Sequence, residues 1–327
     1  MSKLLTPSET ADWLKERNNF LILTHKRPDG DTLGSAGALA QGLHSIGKTA
    51  YMLYNPEITS RYLKYVKEYT APDEYIAEHI ITVDTATVDL FPDNAQIYAD
   101  SISLCIDHHE SNTINAGYAC IDAGRAACGE LVFDILMAIS DNISVSAARC
   151  LYVALSTDTG CFSFGNTTAD TLYIASLLIS AGVNNADINK SLFRSKTRSR
   201  VKIEGILTSG LEFHFDGKLS IATATKEMME ATGVDEDDMD DIAAIPSSIE
   251  GVCIGVTIRE LSSPNEWKMS VRTRRPYNAQ VICAHFGGGG HKQAAGCTVE
   301  KSLTDVKKEL LEVVKKLLHF TKAAQNV

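Results

Sequence analysis

Short apolar runs and longer stretches of helical periodicity alternate through the first half of the chain. Residues 20–24 have the composition of a buried strand, and residues 32–46, rich in Ala, Gly and Leu, have that of a following helix. The same pattern predicts strands at 49–54, 79–83, 101–106 and 118–121 and helices at 62–69, 129–139, 147–155 and 169–181. Strands that alternate with helices are joined by crossovers, which require a parallel sheet with helices packed on its faces. We therefore predict that the chain begins with a parallel α/β domain.

Strand-forming runs dominate the second half of the chain. A polar, basic stretch at residues 191–210 precedes them and predicts a connecting helix. Beyond it, Asp216-Gly217 lies between two β-forming runs, which is typical of a hairpin. Further strands are predicted at 252–259 and 267–273, and an amphipathic helix at 303–318. The predicted organisation is an N-terminal domain at 1–190, a linker helix at 191–210 and a smaller α/β domain at 211–327.

Composition limits the classes of partner that this chain can have. Hydrophobic residues make up 44% and charged residues 22% of its 327 residues, which is typical of an ordinary globular protein of about two domains. The formal net charge of −10 argues against a broad basic face for duplex DNA. No apolar stretch approaches the ~20 residues of a membrane span, and no apolar leader follows Met1, so we expect neither a membrane anchor nor a signal peptide. The eight cysteines stand singly, which is typical of reduced thiols in a cytoplasmic protein.

Four polar clusters interrupt the predicted N-terminal domain, each at the end of an apolar run. They are His25 to Asp31, the single Asp84, the tripeptide Asp107-His108-His109, and Thr157 to Gly160. In an open parallel sheet the carboxyl ends of the strands share one edge, and ligands bind there. Residues that are distant in sequence would then meet in one crevice.

The side chains in these clusters are those of a particular kind of metal site. The candidate ligands among them are four carboxylates and at least two imidazoles, with no thiolate: Asp29, Asp31, Asp84, Asp158, His25 and His108. Such a set suits Mn²⁺, Mg²⁺ or Fe²⁺ better than a structural zinc ion, which usually recruits cysteine. Each residue alone would more often be a helix cap or a buried histidine, but four clusters at strand ends favour a metal site. Because the donors exceed what one ion needs, we predict two divalent ions that share a bridging carboxylate.

A run of four glycines marks the predicted C-terminal domain. Gly287 to Gly290 directly precede His291, and Arg272 and Lys292 are near in the sequence. Consecutive glycines let a backbone approach a ligand and turn several N–H groups towards one anion. An arginine side chain can bind phosphate through two nitrogens at once. A flexible hinge is the plainer explanation of the glycines, but the neighbouring cations favour a phosphate or nucleotide site. Its predicted residues are Arg272, Gly288, Gly289, Gly290 and His291.

The order of these motifs resembles that of the DHH phosphoesterase superfamily, which takes its name from the tripeptide at residues 107–109. All four metal-binding motifs of that family can be identified between residues 25 and 160. The run Phe286 to His291, followed by Ala294-Ala295-Gly296, is similar to the signature of the family's C-terminal substrate-binding domain, and Ser270 to Thr273 is similar to its arginine-bearing strand. The likeness covers nearly the whole chain. It is greatest to the stand-alone oligoribonucleases and 3′-phosphoadenosine-5′-phosphate (pAp) phosphatases of the family.

The resemblance implies a role for each of these residues. One metal ion would be bound by His25, Asp29 and Asp84, and the other by Asp31, Asp84, His108 and Asp158. His109 would stabilise phosphoryl oxygens or protonate the leaving group. Asp107 would orient a ligand imidazole, although a cap at the strand end explains it equally well. The implied cofactors are two divalent metal ions, Mn²⁺ in the first place and Mg²⁺ as the alternative.

The implied activity is hydrolysis of phosphate esters by a metal-activated water. The substrates would be short single-stranded oligoribonucleotides, pAp or dinucleotides, and a homodimer is expected from some relatives. A family II pyrophosphatase shares the first motifs, but its second domain carries a Ser-Arg-Lys-Lys-type run that this chain lacks. A RecJ-type DNA exonuclease is usually longer. A cyclic or linear dinucleotide phosphodiesterase stays open as an alternative. A catalytically silent nucleotide-binding regulator would be expected to have lost metal ligands, and none is missing here.

Overall fold

The computed structural model describes residues 2–235, 239 and 242–325. The chain forms two compact units, Met1–Ser195 and Lys196–Val327. Each unit is built on its own six-stranded sheet. The domain limits predicted from the sequence, 1–190, 191–210 and 211–327, stay a prediction.

The N-terminal unit is a parallel sheet with helices packed against it. Its strands are β1 (Lys3–Leu4), β2 (Phe20–Leu23), β3 (Ala50–Met52), β4 (His79–Val83), β5 (Ile102–Asp107) and β6 (Tyr118–Ile121). They lie in the order β1-β6-β5-β4-β2-β3, and every strand pair is parallel. The helices are α1 (Pro7–Lys15), α2 (Gly30–Ser45), α3 (Ser60–Val66), α4 (Cys128–Ile139), α5 (Val145–Asp158), α6 (Ala169–Ser180) and α7 (Asn185–Asn189).

Side chains of successive strand residues fill a core on each face of this sheet. In β2, Phe20 and Ile22 belong to the hydrophobic cluster that α1, α2, α4 and α5 cover. Leu21 and Leu23 belong to the cluster on the other face. All four side chains are buried. A strand that is buried on both faces is apolar throughout, which is why the sequence shows continuous apolar runs here.

At the start of the chain, before the first predicted strand, the structure adds β1 and α1. Thr6 caps α1: its Oγ1 accepts the N–H of Glu9 at 3.2 Å, and the carboxylate of Glu9 accepts the N–H of Thr6 at 2.8 Å. This reciprocal capping box, with Pro7 in the first turn, is a helix-start signal that can be read from a sequence. β1 has only two residues, which is too short for any periodicity to reveal it.

Helices α2 and α5 cross closely because small residues line α2. A Cβ added to Gly34 would lie 2.8 Å from the backbone N of Ala154 and would also overlap the carbonyl of Cys150. At the start of α2, a Cβ on Gly30 would overlap the side chain of Thr157. The crossing therefore holds the first turn of α2 beside the last turn of α5.

The C-terminal unit is a mixed sheet with helices on both faces. Its strands are β7 (Glu212–His214), β8 (Leu219–Ala224), β9 (Ile254–Glu260), β10 (Glu266–Thr273), β11 (Gly289–Gly290) and β12 (Ala294–Glu300), in the order β11-β12-β10-β9-β8-β7. β8 and β9 run parallel, and the other described pairs are antiparallel. The helices are α8 (Arg198–Ser209), α9 (Lys226–Thr232), α10 (Ala279–His285) and α11 (Leu303–Gln325).

The two faces of this second sheet are covered differently. α10 and α11 pack on one face, over the apolar side chains of β8, β9, β10 and β12. α8 and α9 pack on the other face, against β8. Burial alternates along the whole of β10, so that Lys268, Ser270 and Arg272 lie on the face away from α10 and α11.

The predicted fold class is confirmed: a parallel-sheet N-terminal domain precedes a smaller α/β domain. The predicted hairpin is the β7–β8 pair, whose turn has positive φ at Phe215, Asp216 and Gly217. In place of one continuous connecting helix, the structure has a π-helical turn at Lys190–Arg194 and then α8. Among the described residues, none of the helices combines the length and apolar character that crossing a membrane requires.

Replacement of Gly34 by alanine is expected to destabilise the N-terminal unit. The added methyl group meets backbone atoms of α5, which cannot move aside as a flexible side chain can, so we expect a loss of about 1–3 kcal/mol. The control is Gly205→Ala in α8, where an added Cβ meets nothing within 4 Å and helix propensity predicts a gain of about 0.5–1 kcal/mol. Differential scanning calorimetry measures both, and a Gly34→Ala protein as stable as the parent would contradict the close crossing.

Candidate metal centre

The four polar clusters meet at one edge of the N-terminal sheet. β5, β4 and β2 are adjacent parallel strands, and His108, Asp84 and His25 follow their carboxyl ends. Asp31 lies in the first turn of α2, and Asp158 is the last residue of α5. Because α2 and α5 cross at these turns, carboxylates and imidazoles from four parts of the chain share one space.

Asp84 lies at the centre of this group, since its two carboxylate oxygens contact different partners. Oδ2 is 3.9 Å from Nε2 of His25, which is itself 3.8 Å from Oδ1 of Asp29. Oδ1 of Asp84 is 3.3 Å from Nε2 of His108. The backbone of Asp84 has a φ of +51°, a left-handed conformation that is uncommon outside glycine. It costs free energy and persists only where the surrounding structure enforces it.

A second set of donor atoms surrounds His108. Its Nε2 lies 3.7 Å from Oδ2 of Asp31 and 3.8 Å from Oδ2 of Asp158. Asp31 is almost completely buried, whereas the side chain of Asp158 is partly exposed. Three groups each have their donor atoms within 4.8 Å of one another: His25, Asp29 and Asp84; Asp31, His108 and Asp158; and Asp84, His108 and His109. Asp84 belongs to the first and third groups and contacts His108 of the second.

Main-chain groups hold the buried carboxylate of Asp31. Its Oδ2 accepts the N–H of Cys128 at 2.6 Å, and its Oδ1 accepts the N–H of Gly129 at 3.0 Å. Both donors belong to the first turn of α4. The hydroxyl of Ser35 donates a further hydrogen bond at 3.0 Å. Because the start of a helix presents free N–H groups and a partial positive charge, α4 stabilises an anion that α2 carries.

Backbone carbonyls orient the imidazoles of both predicted histidine ligands. Nδ1 of His25 lies 2.8 Å from the carbonyl oxygen of Lys26, and Nδ1 of His108 lies 3.1 Å from that of Arg125. When Nδ1–H donates to a carbonyl, Nε2 carries the lone pair and can bind a cation. In both histidines Nε2 is the nitrogen that faces the carboxylates.

Asp107, the first residue of the tripeptide, holds the two histidines that follow it. It is fully buried, and its Oδ1 accepts the backbone N–H of His108 at 2.9 Å and lies 2.8 Å from Nδ1 of His109. Its Oδ2 accepts a hydrogen bond from Asn112 at 2.5 Å. The imidazole that Asp107 contacts is therefore that of His109, not that of the predicted ligand His108, which the carbonyl of Arg125 holds. Asp107 is both a cap at the strand end and the partner of an imidazole.

Burial makes these carboxylates difficult to ionise. It raises the pKa of Asp31 to about 7; the charge of His108 opposes this shift, and that of Asp158 adds to it. Burial and the charge of Asp31 raise the pKa of Asp84 well above its usual range. Burial lowers the pKa of His108, but the adjoining carboxylates of Asp84 and Asp31 outweigh it and raise this pKa to about 10. All three shifts indicate that the cluster favours additional positive charge.

The donor set fits divalent cations. Oδ1 of Asp84 is buried and accepts no hydrogen bond from any residue that the structure describes. A buried carboxylate oxygen without a donor is unfavourable unless a cation binds it. Carboxylate and imidazole ligands without thiolate suit Mn²⁺ and Mg²⁺. The raised carboxyl pKa values agree with this, because a cation can replace the proton that each group would otherwise retain.

The predicted substrate residues of the C-terminal unit lie at one end of its sheet. Arg272 on β10 pairs with Ala294 on β12, whose carbonyl oxygen accepts the N–H of His291 at 2.8 Å. Arg272 is partly buried, and its Nη1 donates to the carbonyl of Val271 at 3.2 Å. His291 is exposed. Arg272 and His291 thus flank Ala294 of β12 from opposite sides.

The glycine run differs from the expectation that its N–H groups turn together towards one anion. The N–H of Gly288 donates to the carbonyl of Cys283 at 2.9 Å, and Gly289–Gly290 form β11 beside β12. A Cβ on Gly288 would lie 2.8 Å from Cα of Cys297 and would overlap its Cβ. Glycine is therefore required at residue 288 so that two backbones can pack closely. Gly289 is exposed, and an added Cβ there would meet nothing within 4 Å.

Several residues outside the four clusters also shape the site. Cys128 and Gly129 act through their backbone N–H groups, which leave no mark on a side-chain pattern. Asn112 holds Asp107, and Nδ2 of Asn166 donates to the carbonyls of Asp158 and Ala126, each at 3.1 Å. In the sequence, only the short distance of these two asparagines from a polar cluster could have indicated their role.

Fold and site together define a two-domain α/β protein with a carboxylate and imidazole metal centre. Comparison with protein families gives the same division: the DHH family, N-terminal domain, matches residues 19–155, and the DHHA1 domain matches residues 219–319. The crystal structure of an exopolyphosphatase-related protein from Bacteroides fragilis has a TM-score of 0.85 at 23% identity and covers 98% of this chain and 97% of that one.

Two relatives carry the name bifunctional oligoribonuclease and PAP phosphatase NrnA. The protein from Thermus thermophilus is 30% identical over 300 residues, which cover 91% of this chain and 89% of that protein. The protein from Bacillus subtilis is 23% identical over 288 residues, which cover 86% and 90% of the two chains. The present chain belongs to the DHH family.

Metal affinity is expected to rise with pH across the neutral range. A cation that binds Asp31 and His108 must displace the proton of each, because the pKa of Asp31 is about 7 and that of His108 is about 10. Since protons compete with the metal, the affinity for Mn²⁺ should increase by about a hundredfold or more between pH 6 and pH 8. Isothermal titration calorimetry in buffers of different ionisation heat measures the affinity and the protons released. A pH-independent affinity without proton release would contradict the assignment of these ligands.

Proposed function

We propose that this protein is a metal-dependent phosphoesterase that hydrolyses short oligoribonucleotides to mononucleotides and converts pAp to AMP. The observation that carries the proposal is the position of Asp84 between two groups of carboxylate and imidazole donors. The names of the relatives from Thermus thermophilus and Bacillus subtilis support it, because these relatives are similar over both units of the chain.

Two divalent ions, Mn²⁺ in the first place and Mg²⁺ as the alternative, are the proposed cofactors. His25 and Asp29 would hold one ion together with Oδ2 of Asp84. Asp31, His108 and Asp158 would hold the other together with Oδ1 of Asp84. When bound, such ions polarise phosphoryl oxygens and lower the pKa of water, which supplies a nucleophile at neutral pH.

His109 is the proposed residue for contact with the reacting phosphoryl group. The hydrogen bond between its Nδ1 and Asp107 fixes the ring, so that Nε2 is directed away from Asp107. The side chain is one-third exposed, at 33%. A fixed imidazole can donate a hydrogen bond to a phosphoryl oxygen or a proton to the leaving oxygen. Asp107 contacts His109 but not the donor atoms of the metal ligands, so we propose it as a positioning residue.

Arg272 and His291 are proposed to bind a phosphate group of the substrate. Four aspartate ligands cancel the positive charge of two divalent ions, so the metal centre has little net charge with which to attract a polyanion. Arg272 can bind phosphate through two nitrogens, and His291 lies on the other side of Ala294 of β12. Gly288 lets β11 pack closely on β12, and the exposed Gly289 and Gly290 of β11 leave this backbone accessible to a ligand.

Short single-stranded RNA, pAp and dinucleotides are therefore the proposed partners. The net charge of −10 argues against duplex DNA. A cytoplasmic location is proposed from the eight cysteines, all of which are free thiols. A homodimer is proposed only by analogy with some members of the family.

Activity on a panel of substrates tests the proposed function. The purified protein with Mn²⁺ is given 5′-labelled oligoribonucleotides of two to seven residues, pAp and pyrophosphate, and kcat/KM is compared. Oligoribonucleotides and pAp should be hydrolysed and pyrophosphate should not, and EDTA should abolish activity. Asp84→Asn should match the EDTA-treated protein, because it removes the shared ligand, while Asp141→Asn, at an exposed carboxylate, should retain full activity. Activity that persists in EDTA, or a higher kcat/KM for pyrophosphate than for the other substrates, would contradict the proposal.

Replacement of Arg272 by alanine should weaken substrate binding without loss of metal. The lost charge-assisted contact with phosphate predicts a KM for pAp that is raised about tenfold or more, with kcat much less affected. Metal content, measured by mass spectrometry, should be unchanged. Arg274→Ala is the matched control, because Arg274 is an exposed cation two residues away. An unchanged kcat/KM of Arg272→Ala would remove the phosphate-binding role.

A further inference from the structure

Arg272 is not the only cation on its face of the C-terminal sheet. Lys268 lies four residues earlier on β10 and on the same face, with Ser270 between them. A strand advances ~3.4 Å per residue, so the Cα atoms of Lys268 and Arg272 are about 13 Å apart. Arg259 on β9 is directly opposite Lys268 in the register of the two strands. We call Arg259, Lys268 and Arg272 the cation row.

Small side chains line this face of the sheet between these cations. The register places four residues beside Ser270 and Arg272 on this face, none of them larger than threonine: Gly255, Thr257, Ala294 and Gly296. Thr257 is buried, and its hydroxyl donates to the carbonyl of Ile242 at 3.4 Å, so the β9 side is covered. On the β12 side, Gly296 and Ala294 are the residues opposite Ser270 and Arg272 on this face, and Lys268 lies towards the other end of β10.

An acidic pair ends the cation row. Glu266 on β10 lies two residues before Lys268 on the same face, and Glu300 on β12 is directly opposite Glu266. Two carboxylates at this position repel a further phosphate group. At the other end, Arg272 is opposite Ala294 of β12, whose carbonyl oxygen accepts the N–H of His291. An anionic chain that follows β10 from Arg272 thus meets one more cationic position and then an acidic boundary.

We propose that Lys268, assisted by Arg259, binds a second backbone phosphate of an oligoribonucleotide whose first phosphate is held at Arg272. This inference rests on the proposed function and deepens it, since it names the residues that distinguish substrates by length. The phosphate groups of a single nucleotide lie closer together than Lys268 and Arg272, whereas the backbone of a chain of several nucleotides matches their separation. The acidic pair restricts the row to a short chain. Contacts to phosphate carry no base information, so the preference is independent of sequence.

The test compares Lys268→Gln with Lys308→Gln in the full chain. Lys308 is exposed on α11, which packs on the opposite face of the sheet, so the control removes the same charge from the same unit. The ligands are pAp and a phosphorothioate pentaribonucleotide, which keeps the backbone charge and resists hydrolysis. Binding in the presence of Mn²⁺ is measured by calorimetry at several salt concentrations, together with kcat/KM on the unmodified substrates.

Lys268→Gln should weaken binding of the pentanucleotide about tenfold and leave that of pAp within about twofold. The slope of log affinity against log salt for the pentanucleotide should become shallower by about 0.7, which corresponds to one phosphate contact on a single strand. Lys308→Gln should change neither quantity. Arg259→Gln should show the same dependence on length to a smaller extent, and it keeps the test decisive if Lys268→Gln does not fold.

Two results would overturn the inference while leaving the proposed function intact. In one, Lys268→Gln and Arg259→Gln each lose as much affinity for pAp as for the pentanucleotide. In the other, neither variant loses affinity for either ligand. Failure of the proposed function has a different signature: the parent protein would hydrolyse neither ligand class, whatever the binding data show. The salt slope and the ratio of the two affinities come from binding measurements alone. They therefore test whether the cation row binds a second phosphate, whether or not the protein hydrolyses these ligands.

Discussion

Buried carboxylates at the end of a parallel strand are stable only when positive charge or hydrogen-bond donors reach them, and this constraint governs the N-terminal unit. Asp31 receives two N–H groups from the start of α4 and a hydroxyl from Ser35. Asp84 has imidazoles near both of its oxygens, but its Oδ1 accepts no hydrogen bond among the described residues. The two aspartates therefore differ: Asp31 receives its hydrogen bonds from the protein, whereas Oδ1 of Asp84 has no donor among the described residues.

Packing far from the chemistry creates this arrangement. The parallel order of β5, β4 and β2 puts three strand ends side by side, and glycines in α2 let α5 approach so closely that Asp158 reaches His108. Backbone carbonyls at Lys26 and Arg125 then fix the nitrogen that each imidazole offers. The proposed chemistry needs little from loops, because most of its donors are placed by the ends of strands and helices.

Sequence reasoning could predict the features that depend on pattern. The convergence of His25, Asp84 and His108 followed from the rule that parallel strands share one edge, and continuous apolar runs identified the buried strands. It could not predict that α4 holds Asp31, because backbone donors have no signature of their own. The sequence also does not show why a glycine is needed at a given position. The run at 287–290 predicts N–H groups that face an anion, whereas Gly288 is needed for the close packing of β11 on β12. Contacts that depend on tertiary register, such as that between Arg259 and Lys268, need the structure.

The central claim is that Asp84 is shared by two divalent ions, and electron paramagnetic resonance tests it most directly. Protein is titrated with Mn²⁺ and the spectrum is followed to saturation. Two ions bridged by one carboxylate should bind at two equivalents per chain and give a spin-coupled spectrum in place of that of isolated Mn²⁺. Saturation at one equivalent, or two equivalents that keep the uncoupled spectrum, would contradict a shared Asp84.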